Sequence, residues 1–348
     1  MRRIVVTLAC ILMRIACVSA APPAAPPMEL VQIIPIDGGP GGEFDHLLVD
    51  AAGDRLFAAD EGHQVVDVID LRTNKMVQSL GKGDLHTPHS LLYRKDLDRL
   101  YVVDGDLQVG AVRIFDMKSN RLWKSIDLPP LADWSGYDPA THYLYVSGLG
   151  AVLKKPDSTV SIIDTTSGDI VGQYLMPDPV ITAFAMDPTS PNIYTGLRTS
   201  NQMTVVDRTT RKITATWPVT LGTGLGSEAL DPVGHRLFVN CRSGQTIVFD
   251  TQTGKEITAI PINTFSDDIF WDPLTKHLYV TAKGSPREEH PTVQVFEQVD
   301  PDHYRSLGEV STLPLARTGT YAPDRKLFYV GAPHFKEANE QILVYKVR

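Results

Sequence analysis

Seven stretches of this chain spell one short strand: DRLFAAD (54–60), DRLYVVD (98–104), HYLYVSG (142–148), PNIYTGL (191–197), HRLFVNC (235–241), KHLYVTA (276–282) and RKLFYVG (325–331). Their anchor residues, Leu56, Leu100, Leu144, Ile193, Leu237, Leu278 and Leu327, fall 44, 44, 49, 44, 41 and 49 residues apart. A repeat of this length cannot bury its apolar face alone and must pack against its neighbours. A period in the forties built of short β-runs specifies a β-propeller, one four-stranded blade per repeat. The expected architecture is all-β and seven-bladed, with four antiparallel strands in each blade.

Each repeat has an inner strand, such as Leu47-Leu48-Val49, that runs into an Asp-led turn before the anchor strand. Asp138-Pro139, Asp187-Pro188, Asp231-Pro232 and Asp272-Pro273 mark such turns, because Asp bonds its own backbone and Pro presets φ. A third strand follows and in five repeats stops at an aspartate: Asp70, Asp116, Asp164, Asp207 and Asp250. Asn74, Asn120, Gly168 and Gly254 then stand where the hairpin needs a left-handed residue, with Arg211 as the exception. The sixth repeat opens this turn with Glu297 instead. The last repeat stops at a third strand, Ile342 to Arg348, and its missing fourth strand is predicted at Leu30 to Ile36. That segment matches the fourth strand Glu256 to Ile262 in pattern and proline, so it should close the ring and leave no sheet end to cap.

Arg2 and Arg3, the apolar run Ile4 to Met13 and the small residues Val18-Ser19-Ala20 read as an export signal over residues 1–20. Residues 21–27 form a Pro/Ala spacer, and residues 28–348 a single propeller domain. The apolar run is too short for a membrane span. Cys10 and Cys17 lie in the signal, which leaves Cys241 without an internal disulfide partner. With no Asn-x-Ser/Thr sequon in the chain, a bacterial periplasmic or secreted protein is expected, as a monomer. Net charge is −8, and −11 once Arg2, Arg3 and Arg14 are removed, which argues against nucleic acid as a partner.

Ligands of propellers meet the loops at the mouth of the central channel. Counting back from the anchors places Asp45/His46, His89/Ser90, Asp133/Trp134, Thr182/Ala183, Gly226/Ser227, Asp267/Asp268 and Arg317/Thr318 there. Loops on the same face add His63, Asp104, Asp106, Arg198, Arg242, Lys283 and His334. The ligand-binding candidates are His46, His89, Trp134, Arg198, Arg242, Asp267 and Arg317. His46, His63, His86 and His89 form a candidate set for a divalent metal, since imidazoles beside carboxylates suit zinc-like ions. Alternation along a strand allows only one of Asp267 and Asp268 to face the channel, paired with Arg317. Arg198, Arg242, Lys283 and Arg317 make a basic set able to hold an anion.

The Leu/Phe-Tyr/Phe-Val anchors, the Asp-x-x-Thr-Gly-Lys hairpin of Asp250 to Lys255, and His86-Thr-Pro-His89 before an inner strand resemble the YVTN-repeat, YncE-like exported propellers of bacteria. The resemblance covers the chain after residue 27 and implies a seven-bladed propeller outside the cytoplasm. It implies little about activity.

No Gly-x-Ser-x-Gly elbow, His-Glu-x-x-His helix, Cys-x-x-Cys pair or Walker loop occurs, and no catalytic residue is assigned. Gly38-Gly39-Pro40-Gly41-Gly42 reads as a flexible connector. The expected function is a binding scaffold for a protein, peptide or small anionic ligand at the loop face. The alternative is a metal-dependent lactonase or esterase working at the channel mouth. A supporting subunit of a redox complex and a single-stranded DNA binder are more distant readings.

Overall fold

The computed structural model describes residues 25–284 and 290–348. The export signal, and spacer positions 21–24, lie outside the described residues. Seven antiparallel four-stranded sheets form the blades: 44–80, 88–127, 132–176, 185–218, 225–261, 266–311, and 318–347 completed by 28–35. Among the described residues the helical segments are two single 3-10 turns, Ala151–Leu153 and Pro323–Arg325. None is long and apolar enough to cross a membrane.

Strand β1 (Met28–Pro35) lies antiparallel to β28 (Gln341–Val347), from the pair Met28 and Val347 to the pair Pro35 and Gln341. The seventh blade is thus three strands from one end of the ring and one from the other, as the sequence predicts. Pro35 is tolerated because β1 is an outermost strand, whose far edge needs no partner.

The anchor strands show what holds the blades together. Successive side chains of a strand face opposite ways, so each anchor pair feeds two interfaces. Leu100 packs in the apolar cluster between blades one and two, while Tyr101 packs in the one between blades two and three. Leu144 and Tyr145, Ile193 and Tyr194, Leu237 and Phe238, and Leu278 and Tyr279 repeat this division around the ring. All ten of these side chains are at most 1 % exposed.

Blade seven corrects the predicted anchor. There the pair is Phe328 and Tyr329, which join the clusters on either side of the blade. Leu327 is only half-buried and stands opposite Ala322 at the strand start, the place held by Arg55 in blade one. Lys326 just before it is left-handed (φ 53°), as Asp54 is before Arg55 (φ 54°). Leu327 matches the leucine that occupies the anchor in most other blades, but turn geometry sets the register.

The turns follow the sequence closely. Asp50, Asp138, Asp187, Asp231 and Asp272 each accept a backbone N–H two or three residues on, at 2.8–3.0 Å. Asn74, Asn120, Gly168 and Gly254 are left-handed, and Arg211 adopts the same conformation (φ 59°) without being Asn or Gly. Blade six departs from expectation. Its outer strands, β24 (Thr292–Asp300) and β25 (His303–Ser311), run past Glu297, and Asp300 makes the turn.

The register makes a stability prediction. Phe328→Ala should cost about 3–5 kcal/mol, as for other large core truncations, and Leu327→Ala less than about 2 kcal/mol, because little area is lost. Denaturant melts of the two variants check this; equal losses, or a larger one for Leu327, would contradict the revised register.

Candidate functional site

In five inner strands the ladder with the anchor strand slips by one residue. The shifts fall between Phe44 and Leu47, Pro88 and Leu91, Ala132 and Ser135, Leu225 and Glu228, and Ser266 and Ile269. The residues inside these β-bulges are Asp45/His46, His89/Ser90, Asp133/Trp134, Gly226/Ser227 and Asp267/Asp268. A bulge gives two residues where the partner strand has one, and so breaks the in-and-out alternation. Asp45 and His46 consequently both line the channel mouth, as do Asp133 and Trp134. In blade four the inner strand is reduced to Ala185–Met186, with one isolated bridge from Ile181 to Leu197.

The cavity at the mouth measures about 160 Å³. It is lined by Asp45, His46, Glu61, His89, Asp133, Trp134, Arg198, Arg242, Asp267 and Arg317. All seven ligand-binding candidates are therefore brought together on one wall or another. Of the basic set, Lys283 is not among the lining residues. Glu61, just after the anchor strand of blade one, was not singled out from the sequence; nothing in its local pattern tells it from any exposed turn glutamate.

Charge is divided around this ring. Blades one to three supply Asp45, Glu61 and His89, which form a tight network, and the Asp133 carboxylate beside them. His89 Nδ1 lies 2.7 Å from Asp45 Oδ2 and 3.0 Å from Glu61 Oε1, and its Nε2 lies 2.9 Å from the Gly105 carbonyl oxygen. Burial opposes a charge on His89, but the bonds to Asp45 and Glu61 outweigh it and hold its pKa well above the usual imidazole value. As an imidazolium it donates Nε2–H to Gly105 and Nδ1–H to Asp45, the nearer carboxylate, while Glu61 is held beside the same positive charge.

His46 Nδ1 is 3.0 Å from Asp45 Oδ1, and Nε2 is 3.6 Å from Asp268 Oδ1 across the channel in blade six. Nδ1 lacks hydrogen-bond alignment, so the attraction is Coulombic. Burial again opposes the charge, yet the carboxylates of Asp45, Asp268 and Asp267 push its pKa up to about 10. Burial pushes Asp268 up to about 7. The His46 ring meets the Trp134 indole edge to face, with centroids 5.1 Å apart. Both residues also line a second cavity of about 230 Å³ deeper in the channel, with Ser90, Ser227, Glu228 and Asp268. His46 and Trp134 therefore form the floor of the mouth.

Asp267 pairs with Arg317 as expected, but the bulge breaks the alternation, so Asp268 also faces the channel, deeper down, instead of capping a turn. Asp267 Oδ2 pairs with Arg317 Nε at 3.2 Å, and Asp268 Oδ2 accepts the Gly319 N–H of the next blade at 2.9 Å. Such links recur between blades: Ser90 Oγ donates to the Asp133 carbonyl at 2.9 Å, and Ser227 Oγ to that of Asp267.

Arg198 and Arg242 follow the anchor strands of blades four and five and differ from the other charges. Neither takes part in the ion pairs of the mouth. Arg198 Nε donates to the Leu225 carbonyl at 2.6 Å, while Nη2 is buried without a partner among the described residues. Burial, with the like charge of Arg242, lowers the Arg198 pKa.

The four histidines proposed for a metal do not share one site. His46 and His89 meet at Asp45, His63 turns to Asp60 and Glu340, and His86 is half exposed, 3.8 Å from Asp106. Three-residue spacing on a loop sends His86 and His89 to different neighbours. Cys241 is buried in the cluster between blades four and five, where burial pushes its thiol up to about 12. A larger cavity of about 400 Å³, lined by apolar groups including Leu230, Phe270, Trp271 and Leu274, opens at the opposite ends of the inner strands.

Seven sheets around a channel, with ionisable groups at one mouth, define a β-propeller scaffold. Three solved structures are similar to it in fold. A chain of the mitotic checkpoint complex superposes with a TM-score of 0.72 at 12% identity, over 99% of each chain. Hydrazine synthase of Kuenenia stuttgartiensis gives 0.70 at 16%, over 90% of this chain and 97% of that one. The β-propeller domain of Cps50 (Swd1) from Myceliophteria thermophila gives 0.65 at 14%, over 92% and 100%. No family model and no curated protein matches the sequence.

The charge on His46 makes a direct prediction. A histidine raised from 6.5 to about 10 stabilises the fold fully below pH 6.5, and that contribution fades as pH rises through about 10. NMR titration of the His46 ring should show it protonated through pH 8. A midpoint near 6.5 would contradict the site electrostatics.

Proposed function

We propose that this propeller is a non-enzymatic binding module that takes a small carboxylate, or the carboxylate end of a longer ligand such as a peptide, at its channel mouth. The observation that carries this reading is the pair Arg198 and Arg242. Asp45, Glu61, His46, His89, Asp267 and Arg317 have charged partners within the mouth. Arg198 Nη2 is buried with none, which is costly until an anion arrives, and the exposed Arg242 beside it adds a second guanidinium. Arginine suits the task, because its planar fork matches a carboxylate with two parallel bonds.

Size narrows the ligand. About 160 Å³ is below the 300–1,000 Å³ of sites that enclose drug-sized molecules. The mouth therefore takes a small acid, or one terminus of something larger that rests on the surrounding loops. Trp134 offers an apolar edge beside the anion, and protonated His46 adds a donor from the floor. The overall negative charge disfavours DNA. Export and a periplasmic or secreted location belong to this proposal, resting on residues 1–20, and so do the YncE-like relationship and a single domain over residues 28–348.

The metal-dependent hydrolase reading finds less support. Asp45, Glu61 and His89 do converge, but the imidazoliums of His89 and His46 already balance the two carboxylates, and both His89 nitrogens are engaged.

Calorimetric titration with small mono- and dicarboxylates and with a short peptide tests the proposal. Binding should weaken by at least about 100-fold in Arg198→Ala/Arg242→Ala, since each charged hydrogen bond contributes about 1.5–3 kcal/mol. It should also fall with added salt. Unchanged affinity in the double variant, or no heat from any of these acids, would overturn it.

A further inference from the structure

The closing seam between blades seven and one holds a second cluster, separate from the channel mouth. Asp60 ends strand β3 (Arg55–Asp60), His63 lies in the turn after it, and Glu340 directly precedes β28. Asp60 and Glu340 are fully buried, and Asp67 of strand β4 (Val65–Asp70) is 1 % exposed. His63 Nδ1 lies 2.7 Å from Asp60 Oδ2 and 3.2 Å from Glu340 Oε1.

This arrangement is short of positive charge. One Nδ1 hydrogen can serve one acceptor, and Asp60 is the nearer. Both Glu340 oxygens, Asp67 Oδ2 and His63 Nε2 are buried without hydrogen-bond partners among the described residues. The ion pairs of Asp60 and Glu340 involve only His63. Asp60 also accepts the His63 backbone N–H, and Asp67 the Ser79 hydroxyl. Glu340 is thus the buried carboxylate left without a hydrogen bond among the described residues, which is strongly unfavourable for an anion.

The loop around the cluster is shaped to it. A side chain at Gly38 or Gly42 would collide with the Glu340 carboxylate, and one at Gly38 also with the His63 ring. A side chain at Gly62 would strike the Gly41 carbonyl. The His334 N–H of blade seven donates to the Gly42 carbonyl at 3.0 Å, and the Glu61 N–H of blade one to that of Glu43 at 2.8 Å. Gly38 and Gly42 therefore fit closely against the Glu340 carboxylate, while Pro40 and Gly41 between them stay exposed, so the connector expected from composition is fitted to the cluster at its two ends.

We infer that Asp60, His63 and Glu340 form a structural site for a divalent transition metal of the zinc type, which clamps blade seven to blade one where the ring closes. The three ligand atoms lie within 4.8 Å of one another. Donors bound to one ion at about 2.0–2.2 Å are about 3–3.5 Å apart, so small side-chain adjustments suffice. An imidazole among carboxylates favours zinc or manganese over calcium, which takes oxygen alone. The second Glu340 oxygen is free to complete the shell, and Asp67 sits behind Asp60. The site is closed to substrate, and its role is to join strands supplied by opposite ends of the ring.

Zinc titration of the full chain after chelator treatment tests this, read by calorimetry, by melting temperature and by the visible spectrum with cobalt(II). One equivalent should bind, raise the melting temperature by several degrees, and give the absorption of a low-coordinate N/O site. Glu340→Gln and His63→Gln should each weaken zinc binding by on the order of 100-fold and abolish the thermal shift, with His89→Gln leaving both intact. If Glu340→Gln does not fold, His63→Gln and the wild-type spectrum decide. Absence of zinc binding, or a thermal gain from Glu340→Gln with no metal response in the wild type, would overturn the inference and leave a protonated glutamate at the seam. Loss of binding in His89→Gln alone would overturn it too, placing the ion at the channel mouth.

Discussion

The backbone ladder between Met28–Pro35 and Gln341–Val347 is the contact on which the rest of the structure depends. Every blade buries its anchor pair against two neighbours, so each apolar cluster exists only while both flanking sheets are in place. An open ring would expose two such faces along with an unpaired strand edge. The seam adds its own core, in which Ile34, Ile36 and Phe44 pack with Tyr329, Ile342 and Val344. Polar groups gather at the same place, with the Glu340 carboxylate under the glycine loop. Closure is thus secured by hydrogen bonds, by apolar burial and, on the inference above, by a metal.

A closed ring fixes where seven inner strands begin, and the bulges decide what they present. Regular alternation would have turned one of each adjacent pair away from the channel. With the extra residue, Asp45 with His46 and Asp133 with Trp134 share the mouth. The site is therefore dense in charge for its size. Asp45 and Glu61 are balanced by His46 and His89 on blade one and blade two, while Arg198 and Arg242 take part in no ion pair of the mouth. An anion completes that pattern, and so the mouth reads as a binding site.

Much of this was legible in the sequence because it depends on local rules. The repeat period, the Asp-led turns and the proline-bearing fourth strand follow from periodicity and turn chemistry, and counting back from the anchors reached the channel residues. What escaped depends on geometry that sequence does not carry. The anchor at Phe328 was displaced by one residue because Leu327 has the commoner side chain, and a left-handed Lys326 sets the true start. The bulges were invisible, since no Gly or Pro marks most of them. Glu340 could not be linked to His63, because their meeting requires the ring to close across nearly the whole chain. The histidines at 46, 63, 86 and 89 looked like one cluster in the sequence, but the fold keeps only His46 and His89 together, at Asp45, and sends His63 and His86 to other carboxylates.

Native-state hydrogen exchange on the strands of blade seven tests the closure directly. If the seam holds the ring, amides of Met28–Pro35 that pair with Gln341–Val347 exchange only through global unfolding, at the same free energy as those of the anchor strands. Rapid exchange of Met28–Pro35, while the anchor strands stay protected, would show a ring that stands without its closing strand and would contradict the account.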